Sequence, residues 1–139
     1  MAAIVVGVDG SPAADQALRW AAEEAALRNV ALRVVHCWSF PYSDGETAVL
    51  AGESVRELLQ RAAEDVLDVA LRAAGTEPAS VERRVVHGSP AEVLIEEARD
   101  ATLLVVGYRG RGGFARLLLG SVSQQCAQHA PCPVVIVRG

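Results

Sequence analysis

The stretch VGYRGRGGFARLLLGSV, residues 106–122, gathers five glycines and three arginines and runs into Ser123. Glycines let backbone N–H groups come close to an anion, and a helix opening at Gly120 would add its unpaired N–H groups and the positive end of its dipole. Ser121 and Ser123 supply two hydroxyls at the same place. The chemistry suggested is phosphate binding. Charge points the same way: all seventeen acidic residues lie at or before Asp100, so the first hundred residues carry −8 and the remainder, with Arg109, Arg111, Arg116 and Arg138, carries +4. A cationic final segment on a chain of net charge −4 suits a small anion rather than general nucleic-acid binding.

Several phosphate-binding patterns fail here. All thirteen basic residues are arginine, which excludes a Walker-type loop and any mechanism that needs a lysine. Residues 110–115 formally fit the dinucleotide pattern G-x-G-x-x-A, but no acidic residue follows to hold a ribose. A phosphoacceptor role for Asp9 would want further acidic groups and a late lysine. Cys37, Cys126 and Cys132 form no Cys-x-x-Cys pair, and His36, His87 and His129 match no familiar ligand spacing, so no metal site is expected.

These groups need a scaffold, and 139 residues suit a single domain, 1–139. Half the residues are hydrophobic while aromatics are few, a mixture of Ala, Val and Leu that fits helices packed on buried strands. Ala3–Val8 reads as a strand, followed by a turn and a helix capped by Ser11 with Pro12 in its first turn and Asn29 as its stop. Ala31–Trp38 reads as a second strand, residues 39–47 as a loop, and 50–74 as a helix whose apolar stripe is Val55, Leu58, Leu59, Ala62, Val66 and Ala70. A more exposed third strand spans 81–86. Ser89-Pro90-Ala91-Glu92 then has the spacing of a capping box before an amphipathic helix. A fourth strand, 103–106, is apolar enough to be covered on both faces; a helix over 122–129 and a last strand, Val134–Val137, complete the chain. Strands alternating with helices imply right-handed crossovers and a doubly wound parallel sheet of five strands, with helices on both faces. Ligands of such sheets sit beyond the carboxyl ends of the strands, where the winding reverses. The longest apolar runs are too short for a bilayer and no basic leader precedes a hydrophobic stretch, so a soluble, cytoplasmic protein is expected.

The spacing Gly107-x2-Gly110-x9-Gly120-Ser121 resembles the signature of the nucleotide-binding branch of the universal stress protein family. The resemblance extends over the whole chain, through Gly7-Val8-Asp9-Gly10-Ser11, Gly88-Ser89-Pro90 and the ending HAPCPVVIV. It implies the Rossmann-like strand order 3-2-1-4-5. It also implies an adenosine near Val8 and Asp9, whose carboxylate suits ribose hydroxyls, with Cys37 or its neighbours at the end of the second strand walling the base. Gly107, Arg109 and Gly110 would flank ribose and phosphates, and Gly120, Ser121, Val122 and Ser123 would bind phosphate oxygens. Tyr108 departs from the smaller residues common at its position in the family.

The function so implied is an ATP-binding regulatory module of the stress response, with any Mg2+ held mainly by the nucleotide phosphates. Ligation would alter the loop after Gly107 and a surface for an unknown protein partner. The family also implies a homodimer through Val134–Val137. The alternatives are a nucleotide-free docking protein on the same fold and a slow ATPase. No catalytic residue set is evident: no general base stands beside a nucleophile, and no lysine can stabilise a transferring phosphoryl group. Neither nucleic acid nor membrane is expected as a partner.

Overall fold

A computed structural model describes residues 3–39, 46–77, 80–110 and 119–138, the side chains of 46–53 excepted. Five parallel strands lie in the order β3-β2-β1-β4-β5: β1 (Ala3–Val8), β2 (Ala31–Trp38), β3 (Glu82–His87), β4 (Leu103–Gly107) and β5 (Val134–Val137). The helices between them are α1 (Pro12–Arg28), α2 (Glu46–Ala73), α3 (Pro90–Glu97) and α4 (Ser121–His129). Both the doubly wound architecture and the strand order match the expectation.

β1 and β4 are the most deeply buried strands because both faces are covered. On one face Ile4, Val6 and Val105 pack with Leu18 and Ala21 of α1 and Leu67 and Leu71 of α2. On the other, Val5, Leu104 and Val106 pack with Leu94 of α3, Ala98 just past its end and Cys126 of α4. The change of face follows from the handedness of the crossovers. The chain steps from β1 to β2 to β3 in one direction and returns to β4 and β5 on the other side, so α1–α2 and α3–α4 must lie on opposite faces. The reversal falls between β1 and β4, whose register pairs Ile4 with Leu103 and Val6 with Val105. Their carboxyl ends, Val8 and Gly107, therefore open at one edge of the molecule.

Local signals explain how α1 leaves that edge. Gly10 takes φ 83°, a left-handed conformation that favours glycine, and turns the chain back after β1. Ser11 then caps α1, its hydroxyl accepting from Ala14 N at 3.2 Å. Asn29 closes the helix in the left-handed region, as its position after the last helical turn suggests.

Two expectations need correction. Ser89 stands at the N-cap of α3, but its side chain makes no capping bond, so the capping box is not formed; Pro90 and the extended backbone at Ser89 set the start of the helix. The second concerns α2. It begins at Glu46 rather than 50, and it turns Ala63, Leu67, Ala70 and Leu71 to the core. Val55, Leu58, Ala62 and Val66 of the anticipated stripe are exposed, Leu59 is half-buried and only Ala70 is buried. α2 has two apolar faces, and the sheet takes the one richer in alanine.

Candidate functional site

The open edge holds a cleft with about 100 Å³ of internal space between the ends of β1, β2 and β4 and the starts of α3 and α4. Its inner wall is apolar: Val35, Cys37, Leu94, Val106 and Val122. Asp9, Arg109, Gly110 and Ser123 supply the polar groups. Few polar groups on an apolar wall at the winding reversal is the usual arrangement of a small-molecule site in a parallel sheet.

Asp9 sits just past β1, half-buried, with its Oδ1 accepting from Ser11 N at 2.9 Å. One carboxylate oxygen thus orders the turn into α1. The other, Oδ2, is turned toward Gly110: a β-carbon on that glycine would stand 2.7 Å from it. Beneath Asp9, the buried His36 Nδ1 lies 2.9 Å from the Val8 carbonyl. A carbonyl only accepts, so Nδ1 carries the proton there and pins the end of β1 to β2.

The glycine spacing has a geometric cause. A β-carbon on Gly107 would meet the backbone carbon and oxygen of Ala13 at 2.8 Å, so the end of β4 passes directly against the first turn of α1. At Gly120 a β-carbon would lie 3.3 Å from Arg109 Cα and 3.4 Å from Gly110 N. Gly120 N donates to the Tyr108 carbonyl at 2.8 Å, and Ser123 Oγ donates toward the same carbonyl at 3.1 Å and toward Gly120 O at 2.9 Å. Residues 107–110 and 119–123 consequently form a closed neck. Between the two parts of the neck, residues 111–118, including Arg111, Phe114 and Arg116, lie outside the described residues.

At the neck, α4 begins with Gly120 as its N-cap and its first amides, at Ser121, Val122 and Ser123, without carbonyl partners earlier in the helix. Ser121 is exposed beside the cleft, Val122 half-buried in its wall, and Ser123 buried. Ser123 is thereby bound into the neck through its hydroxyl hydrogen, while Ser121 is the hydroxyl open to solvent. The guanidinium of Arg109 lies 4.9 Å from the centre of the Tyr108 ring, and its Nη2 donates to the Tyr108 hydroxyl at 3.0 Å. Tyr108 N in turn donates to Val137 O of β5 at 3.0 Å. Tyr108 thus holds the Arg109 guanidinium at the cleft.

Cys37 closes the β2 side. Burial, with lesser contributions from Glu97 and Cys126, pushes its thiol up to about 12 from an ordinary 9.0, so the group is a neutral apolar wall and not a nucleophile. Among the described residues no cluster of His, Cys, Asp or Glu is arranged to hold a metal ion, and no helix is long and apolar enough to cross a membrane.

Of the residues expected at a site, Val8, Asp9, Cys37, Gly107, Arg109, Gly110, Val122 and Ser123 line one cleft, and Gly120 and Ser121 adjoin it. Sequence reasoning missed Gly7, Val35, Leu94 and Val106. The signal for Gly7 was its place two residues before Asp9: the alternation of β1 turns it to the α3 face, where a β-carbon would meet Leu94 Cδ1 at 2.7 Å.

Comparison with known proteins fits this geometry. The model of the universal stress protein family matches residues 1–138. Universal stress protein Rv1996 of Mycobacterium tuberculosis is 38% identical over 149 residues, covering 96% of this chain and 47% of its own length. The chain thus spans about half the length of the curated relatives it matches. A crystal structure of a universal stress protein in complex with cAMP aligns at 32% identity with a TM-score of 0.64, covering 99% of this chain and 96% of that one. The universal stress protein from Archaeoglobus fulgidus in complex with dAMP aligns at 26% identity and a TM-score of 0.62, covering 99% and 98%. With its strand order, its neck of glycines and a family match over nearly every residue, this chain belongs to the universal stress protein family.

Proposed function

We propose that this domain binds ATP at the cleft between β1 and β4 and acts as a nucleotide-dependent regulatory module of the stress response. The observation that carries the reading is the convergence of Asp9 Oδ2, the Gly107–Gly110 backbone and the first amides of α4 on one cleft with an apolar inner wall. The wall formed by Val35, Cys37 and Leu94 offers a flat base an apolar surface. Asp9 is placed to accept from ribose hydroxyls, since its carboxylate is already oriented by Ser11 N. The α4 amides and Arg109 supply donors and positive charge for phosphate oxygens. The adenine nucleotides named in the two relatives' complexes support an adenine base. A magnesium ion would be held by the phosphates and water, in keeping with the want of a carboxylate cluster among the described residues.

Among the described residues lining the cleft, the Cys37 thiol is kept protonated by burial, which argues against Cys37 as a nucleophile. The domain forms a homodimer through β5, an edge strand whose four residues are all half-buried and whose outer side pairs with no other strand among the described residues. Calorimetric titration with ATP tests the nucleotide reading. Saturable binding with one site per chain is expected, lost in Gly120→Val, where the added side chain enters the space of Arg109 and Gly110. No saturable heat at millimolar nucleotide would overturn it.

A further inference from the structure

The apolar face that α2 turns away from the sheet is an ordered surface. Val55, Leu58, Ala62, Val66 and Val69 follow at steps of three, four, four and three residues, which places all five within about one quarter of the helix circumference. Leu58 is 64% exposed and Val69 66%, whereas the opposite stripe through Leu67 and Leu71 is fully buried. The step pattern reads the same from either end. Reversing the helix about Ala62 lays Val55 on Val69, Leu58 on Val66, and Ala62 on itself.

A palindromic stripe suits an isologous two-fold contact, in which residue i meets residue j of the second copy and j meets i, because every apolar position then falls on an apolar position. We propose that this face of α2 pairs antiparallel with α2 of a second copy of the chain, with the two-fold axis at Ala62. The smallest side chain of the stripe then lies where the helices come closest, and the larger ones pack on either side. Charge agrees with this occupant. Arg61 and Asp65 border the same side of the stripe, and a perpendicular two-fold axis brings that border of one helix beside the same border of the other. Arg61 of each copy then comes within two residues of level with Asp65 of its mate. Neither residue forms an ion pair among the described residues, unlike nearby Asp68, which is bound to Arg83. Within one helix the order Arg61-then-Asp65 is the poorer orientation for an i,i+4 pair, which leaves both available across the axis.

This surface is separate from the β5 edge: α2 covers β2 and β3, while β5 closes the far end of the sheet. One pair of helices buries less than a standard protein interface, so the contact is weak alone and is best read by trapping it. Oxidation of Ala62→Cys with diamide, followed by trypsin, isolates the reporter on the peptide 62–72, which contains no native cysteine. The expected product is a disulfide between two copies of that peptide, formed about tenfold faster than from Glu57→Cys on the polar face, and slowed about tenfold by Leu58→Asp. Both exposed positions leave the core untouched. Equal rates from positions 62 and 57, insensitivity to Leu58→Asp, or linkage of position 62 only to Cys37 or Cys132 would each overturn the pairing. Repeating the reaction in a chain whose β5 pairing is blocked by Ile136→Pro keeps the two contacts distinguishable, because the 62–62 product is expected to persist there.

Discussion

Gly107→Ala separates what the glycine spacing does for the fold from what it does for a ligand. A β-carbon at this position would lie 2.8 Å from both the carbonyl carbon and the oxygen of Ala13, and 3.0 Å from the Ala13 side chain. Two of those three atoms are backbone in the first turn of α1, a helix locked in place by Ala14, Ala17, Leu18 and Ala21 in the main core. No side-chain rotation relieves the clash, so α1 and the end of β4 must move apart. Overpacking of this kind costs roughly 1–3 kcal/mol. For a domain of this size that amounts to a fall in melting midpoint of about 3–10 °C. Urea unfolding followed by circular dichroism, with the slope of the transition held as a check on two-state behaviour, measures the loss. A variant within about 0.5 kcal/mol of the parent, the range of an ordinary surface substitution, would refute the close approach of β4 to α1.

Gly110→Ala should behave differently, because its new β-carbon meets the far end of a side chain, Asp9 Oδ2 at 2.7 Å, which can rotate away. Losing the bond from Ser11 N costs about 0.5–1.5 kcal/mol of stability, while ATP affinity measured by calorimetry falls about tenfold or more as the ribose acceptor is displaced. Cys37, held near 12, should react with iodoacetamide at pH 8 about a thousandfold more slowly than an unperturbed thiol, with urea-unfolded protein as the reference. The same shift makes stability depend on alkaline pH. A thiol whose folded value is raised binds more protons folded than unfolded, so its contribution is complete below about 9 and is lost as pH climbs toward 12. The melting midpoint should therefore fall between pH 8.5 and 10.5, and fall less in Cys37→Ala.

Much of this architecture was legible in the sequence because local signals agreed with the global pattern. Asp9-Gly10-Ser11-Pro12 encodes the turn, cap and first helical residue together, and the structure uses each in that role. The neck was legible for a related reason: backbone or a carboxylate stands within 2.8 Å of where a β-carbon would lie on Gly107 and Gly110, and backbone packs tightly, at 3.3 Å, on Gly120, a demand recorded in composition at fixed spacing. The face of α2 was not legible. Its two stripes are both apolar, and a periodicity of 3.6 says that stripes exist without saying which one meets the sheet. Val55, Leu58, Val66 and Val69 make the exposed stripe as apolar as the buried one of Ala63, Leu67, Ala70 and Leu71, so hydrophobicity does not separate them. The cleft wall was hidden likewise. Val35, Leu94 and Val106 have the composition of core residues, and only the strand register and the start of α3 reveal that they end at an opening.

The most direct test of the central claim is a titration of uniformly 15N-labelled protein with ATP, followed through assigned backbone amide resonances. Amides at Asp9, Gly107, Gly110 and Gly120 through Ser123 should shift together and saturate with one dissociation constant, while those of β3 and the C-terminal half of α2 stay in place. Saturable shifts confined to other surfaces, or none at millimolar ATP, would contradict the assignment of the β1–β4 cleft as the nucleotide site.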